Sequence, residues 1–228
     1  MTSACETTQE TSRVLRSKKD AMATYDKLSG VYDLLAAWTE RKYTEDGLRE
    51  LEVREDESVL EIGFGAGRGL LSLTHSTGPG GKVYGIDISK GMIEATRARI
   101  RDAHMETAVE LIAGDGSALP FAPEFFDAVF MSFVLELFDN PEMPVVLAES
   151  RRVLRTDGRI CVVALSTKGK RGPILRLYEW AHENFPNYAD CRPICVEELL
   201  KIAGFEVVRA KVSSMWGLPV EIVLARKP

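Results

Sequence analysis

The chain has no run of eighteen apolar residues, which argues against a membrane-spanning helix, and its first fifteen residues lack the basic-then-apolar order of a secretory signal. Cysteine is sparse: Cys5, Cys161, Cys191 and Cys195 form no C-x-x-C pair and lack the density of a secreted disulfide scaffold, so reduced thiols in a cytoplasmic protein are expected. Cys191 and Cys195 have no third soft ligand nearby, so no metal site is expected. Positive charge is not in excess either. A formal net charge of -5 provides no global field to gather nucleic acid, so such a role would need a local basic patch. Repeats and low-complexity linkers are absent. What remains is an ordinary globular composition, 45% hydrophobic and 28% charged, in 228 residues, enough for one domain with a full core.

Residues 1–12 are polar and aperiodic, which predicts a disordered tail. From residue 13 to about 55 apolar residues recur at three-and-four spacing, with Gly30 as a break, predicting an N-terminal helical layer. The chain then alternates. "SVLEIG" (58–63), "KVYGIDIS" (82–89), "VELIAGD" (109–115), "FDAVFMSFVLELF" (126–138) and "GRICVVAL" (158–165) read as strands, the fourth running on into a loop or helix. Residues 66–77, 90–103 and 143–154 read as the helices between them. Short strands nearly continuous in Val, Ile and Leu, separated by helix-length segments, are the pattern of parallel strands buried on both faces. After a helix at 196–205, "EVVRAKVSS" and "VEIVLARK" are close enough to pair as an antiparallel hairpin. The expected fold is therefore α/β: a doubly wound, mostly parallel seven-stranded sheet with an antiparallel C-terminal edge strand, an N-terminal helical lid at 13–55, and a Rossmann-like domain at 56–228. A long connection at about 167–193 is expected to be a substrate-side insert.

The chemistry concentrates at "VLEIGFGAG" (59–67). In a doubly wound sheet the first strand-to-helix turn faces the ligand crevice, and glycines there allow close backbone approach. The dinucleotide fingerprint G-x-G-x-x-G fails in both registers, since its last glycine would fall on Arg68 or Leu70, and no G-K-[ST] follows to make a P-loop. Instead Glu61 stands two residues before Gly63, with Gly65 and Gly67 after it. A carboxylate there repels a pyrophosphate and attracts an ammonium. Asp87 closes the second strand, where an acid gripping a ribose diol is expected. Asp115 closes the third strand, placed to receive an exocyclic amine of adenine, with Ile88 and Met92 against the ring faces. Adenosine with a cationic tail, S-adenosylmethionine, fits the set.

These segments resemble the class I S-adenosylmethionine-dependent methyltransferases, in particular the branch containing the menaquinone and ubiquinone biosynthesis enzymes. "VLEIGFGAG" is similar to the glycine motif of that class, "GIDIS" to its ribose motif, "GDGSALPF" to its adenine motif, and "RVLRTDGRICVV" to its fifth-strand signature. "YDKLSGVYD" (25–33) is similar to the tyrosine-bearing lid of the branch. The resemblance implies that Glu61, Gly63, Gly65 and Gly67 surround the methionine tail. It places Asp87, Ile88 and Met92 at the ribose and adenine, and Asp115, Gly116 and Ser117 at the adenine edge. Ser132 and Tyr32 complete the cofactor set, with Tyr32 at the cofactor carboxylate. The insert "ILRLYEWAHENFPNYADCRPI" and the tail depart from the quinone enzymes.

A catalytic base is needed only when the nucleophile must lose a proton. Tyr25 and His182 are the nominated catalytic residues, and Glu136, Tyr178 and Tyr188 are further candidates by position. The expected partner is a small, apolar or lipid-like acceptor. The alternatives are methylation of tRNA or protein, or a non-catalytic cofactor-binding module. The acidic balance and "SFVL" in place of N-P-P-[YF] after the fourth strand weigh against nucleic acid. "RSKKD" (16–20) reads as solvated charge or a peripheral membrane contact. Monomer and homodimer both remain open.

Overall fold

A computed structural model describes residues 32–168 and 192–228, with side chains from Glu40 onward. The proposed tail, the first part of the helical layer, residues 169–191, and with them Tyr25, Tyr178, His182 and Tyr188, lie outside the described residues.

Seven strands form one sheet: β1 (Ser58–Ile62), β2 (Lys82–Asp87), β3 (Val109–Ala113), β4 (Phe126–Ser132), β5 (Leu154–Leu165), β6 (Glu206–Met215) and β7 (Leu218–Arg226). Their order is β3-β2-β1-β4-β5-β7-β6. The first five run parallel, and β7 is inserted antiparallel between β5 and β6. The reversed strand therefore lies one place in from the edge, which β6 occupies. The hairpin turn is Trp216 and Gly217, both at positive φ, 53° and 88°, as a two-residue type I′ turn requires. Strand order reverses between β1 and β4, so the ends of these two strands open a crevice.

Alternation along the central strands sends side chains to two cores. Leu60, Val129, Met131, Ile160 and Val162 face α4 (Met143–Val153) and α5 (Val196–Ile202). Val59, Phe130, Cys161 and Val163 face α1 (Tyr32–Leu51), α2 (Arg68–Thr77) and α3 (Lys90–Asp102). Because both faces are covered, these strands have no polar face, and this explains their unbroken apolar runs. Helix α3 begins at Ser89, whose hydroxyl accepts the Met92 N–H at 3.2 Å. Among the described residues no helix is long and apolar enough to cross a membrane. Cys161 is a buried free thiol, whereas Cys195 is disulfide-bonded, which corrects the expectation that all cysteines are reduced.

The described part of α1 is bound to the body of the domain. At Gly47 the helix approaches so closely that a Cβ would run into Val163 and the Phe130 ring. Arg159 on β5 closes its end, donating to the Leu51 carbonyl at 2.5 Å and the Glu52 carbonyl at 2.7 Å while forking onto Glu57 at 2.6 and 2.9 Å. Glu50 pairs with Arg209 and Lys211 on β6, and the Tyr43 hydroxyl donates to the Ser214 carbonyl at 2.6 Å. Gly47→Val, which adds three carbons at this contact, is expected to cost about 1–3 kcal/mol by overpacking. Thermal unfolding of the variant should show a midpoint several degrees below wild type.

Candidate active site

A cavity of about 620 Å³ opens at the crevice, walled by the ends of β1, β2 and β4 and by the turns that follow β1 and β3. The turn after β1 runs through Gly63, Gly65 and Gly67 at φ of 70°, 49° and 77°, values that residues with a Cβ seldom adopt. Gly67 caps α2, whose first residues Arg68 and Gly69 also reach the wall.

The Gly65 peptide is held from both sides. Its N–H donates to Asp87 Oδ2 at 3.0 Å, and its carbonyl accepts the Thr96 hydroxyl at 2.9 Å. Arg99 donates to the next carbonyl, that of Ala66. Thr96 is fully buried and fills the space beside Gly67. The other oxygen of Asp87 accepts the Ser89 N–H at 2.9 Å, so the carboxylate is aimed by the start of α3 as well as by the glycine turn. Asp115 is fixed in a similar local way: its Oδ1 accepts the N–H and the hydroxyl of Ser117, at 2.9 and 2.8 Å.

Glu61 stands apart from these acids. It is 3% exposed, lies against Gly69 on α2, and among the described residues leaves Oε2 with no hydrogen-bond partner. Burial, and then the neighbouring charge of Asp87, push its carboxyl well above the usual carboxylate range. A buried carboxylate facing a cavity without a donor carries a desolvation cost that a cationic group in that cavity would offset.

Nine of the nominated cofactor residues line the cavity: Glu61, Gly63, Gly65, Asp87, Ile88, Met92, Asp115, Gly116 and Ser132. Gly67 and Ser117 stand behind the wall, one shaping the turn and the other holding Asp115. Tyr32 opens α1, with its side chain outside the described residues. Glu136 is fully buried and accepts the Leu165 N–H at 3.2 Å, off the cavity wall. The sequence does not single out Thr96 and Arg99, since nothing in α3's own pattern distinguishes a threonine that holds a turn from one that packs a core. Nor does it single out Thr44, whose hydroxyl lies 2.7 Å from that of Ser132. The wall after β4 is braced from behind by fully buried Arg192, which donates to the carbonyls of Phe138 and Glu136 at 2.6 and 3.2 Å and to the Asn140 side chain.

Comparison with known proteins bears on the family and the fold. A family model described as a methyltransferase domain matches residues 59–158, the stretch that supplies most of the cavity. A demethylmenaquinone methyltransferase of Lactobacillus johnsonii is 28% identical over 177 residues, 75% of this chain and 71% of the relative. Nocamycin O-methyltransferase of Saccharothrix syringae is 35% identical over 159 residues, 69% of this chain and 53% of that protein. Among solved structures, the [4+2]-cyclase SpnF superposes with a TM-score of 0.77 at 17% identity, covering 94% of this chain and 97% of that one. That likeness concerns the fold alone.

Two outcomes are expected from the wall itself. The folded state holds the Glu61 proton more tightly than the unfolded chain, so Glu61 does not weaken stability below the ordinary value of 4.5 and does so as pH rises through its raised folded value. Glu61→Gln should therefore stabilise the ligand-free protein by about 1–3 kcal/mol at alkaline pH, with little gain at pH 5, as calorimetry at the two pH values would read. Thr96→Val should weaken S-adenosylhomocysteine binding by about 1 kcal/mol, with Thr96→Ser close to wild type in titration calorimetry.

Proposed function

We propose, from the premise that the chain carries a class I S-adenosylmethionine-dependent methyltransferase domain, that it methylates a small, predominantly apolar acceptor enclosed between α1 and the wall after β4. The observation that carries the cofactor's orientation is Glu61: a buried carboxylate with an unpartnered oxygen on the cavity wall fits the ammonium of the methionine tail. Asp87 would accept from the ribose hydroxyls, and Asp115 from the adenine edge. Ile88 and Met92 would flank the ring. The same pair, Glu61 and Asp87, disfavours a pyrophosphate at the glycine turn.

The cofactor supplies an electrophilic sulfonium methyl group. The chain's own contribution is then alignment and exclusion of water, since holding nucleophile and methyl in line at about 3–3.5 Å supplies most of the acceleration. Phe64, Leu71, Phe133, Leu137 and Phe138 give the cavity apolar walls. An apolar acceptor fits these walls, and the two relatives are named for a quinone and for nocamycin, both small molecules. Methylation of tRNA or protein is the second reading, with a non-catalytic binding module as the third.

Asp87→Ala should lower S-adenosylmethionine affinity by about 1.5–3 kcal/mol in titration calorimetry, because charged hydrogen bonds to the ligand and the brace on Gly65 are lost together. Mass spectrometry should detect S-adenosylhomocysteine when the protein is incubated with S-adenosylmethionine and a bacterial lipid extract, and none with bulk tRNA. Turnover with tRNA alone would overturn the small-acceptor reading.

A further inference from the structure

The cavity extends beyond the residues assigned to the cofactor. It is also lined by α1 and α2, through Leu48 and Leu71 together with Arg41, Glu45, Arg68 and His75. Thr44 Oγ1 and Ser132 Oγ share a hydrogen bond of 2.7 Å, and both residues are on the wall. Ser132 ends β4, beside β1 at the reversal of strand order. Thr44 lies three residues before Gly47, where α1 touches β4 and β5, and directly follows Tyr43, whose hydroxyl is tied to β6. Helix and sheet thus hold both oxygens in place.

Two hydroxyls bonded to each other keep one proton and several lone pairs to offer elsewhere. That offer is complementary to a single neutral protic oxygen, which accepts one hydrogen bond and donates another. It is a poor match for a carboxylate or phosphate, whose several acceptor sites would meet one donor. Leu48, Leu71, Phe133 and Leu137 line the same cavity and give it apolar surface, while its charged lining residues include Arg41 and Glu45, which pair with each other, and Arg68. We infer that Thr44 and Ser132 are the acceptor-orienting pair, and that the acceptor is a neutral phenol, enol or alcohol on an apolar body whose hydroxyl bridges the two oxygens. This rests on the methyl-transfer reading above, and it moves Ser132 from the cofactor to the acceptor.

The test is equilibrium binding to the full-length protein loaded with S-adenosylhomocysteine, followed by the fluorescence of 1-naphthol, naphthalene and 1-naphthoate. 1-Naphthol should bind roughly tenfold tighter than naphthalene, as two modest hydrogen bonds allow, and 1-naphthoate no tighter than naphthalene. Thr44→Val and Ser132→Ala should each reduce 1-naphthol to the affinity of naphthalene while S-adenosylhomocysteine affinity stays at the wild-type value, and Thr44→Ser should restore the preference. Equal affinity for 1-naphthol and naphthalene in the wild type overturns the pair's role, as does a preference for 1-naphthoate. So does a variant that loses S-adenosylhomocysteine affinity together with the naphthol preference, because the pair would then serve the cofactor. A wild-type protein that does not bind S-adenosylhomocysteine at all overturns the methyl-transfer reading, and this inference with it.

Discussion

A buried carboxylate without a donor is the constraint around which this site is arranged. Glu61 occupies an interior strand position where its neighbours Leu60 and Ile62 are core residues, and nothing among the described residues satisfies its Oε2. Proteins seldom keep such a group for stability, since an apolar residue of similar size would cost less. At the head of a glycine turn, facing the cavity, its cost would be offset by a cationic group in that cavity. The neighbouring acid, Asp87, then serves twice, because its oxygens brace the turn through Gly65 and Ser89 and also lie on the ligand wall. The cavity wall and the turn geometry are coupled through that one side chain.

Much of this was legible in the amino-acid order because the relevant signals are local. Parallel strands buried on both faces must read as apolar runs, and β1, β2, β4 and β5 did so within a few residues of their ends, although β5 begins earlier, at Leu154. The turn acids were legible because strand ends in a doubly wound sheet face the crevice. The hairpin was visible as two β-rich runs separated by "MWGLP", but no local signal says that β7 inserts inside β6. Long-range relations were the ones missed. That Thr96 would hold Gly65, or that Thr44 would meet Ser132 across 88 positions, depends on how helices settle on the sheet, and no spacing rule encodes it.

Periodicity predicts an N-terminal helical layer, and the likeness of residues 25–33 to a family segment is what implies a lid. From Glu40 onward α1 packs on the sheet: Gly47 lets it down onto Phe130 and Val163, and Arg159 fastens its end. Glycine in a helix interior weakens it by roughly 1 kcal/mol relative to alanine, and here that weakness is exchanged for close contact between helix and sheet. One wall of the cavity is therefore a helix packed directly on the sheet.

Arg192 bears on how such a chamber can diversify. It immediately follows the long connection after β5, yet its guanidinium holds the backbone of the loop after β4 through carbonyls that any sequence would provide. The opposite wall is thereby shaped by main-chain atoms gripped from outside the connection. Side chains of that loop can therefore change while the carbonyls that fix its course stay in place, provided Arg192 is kept.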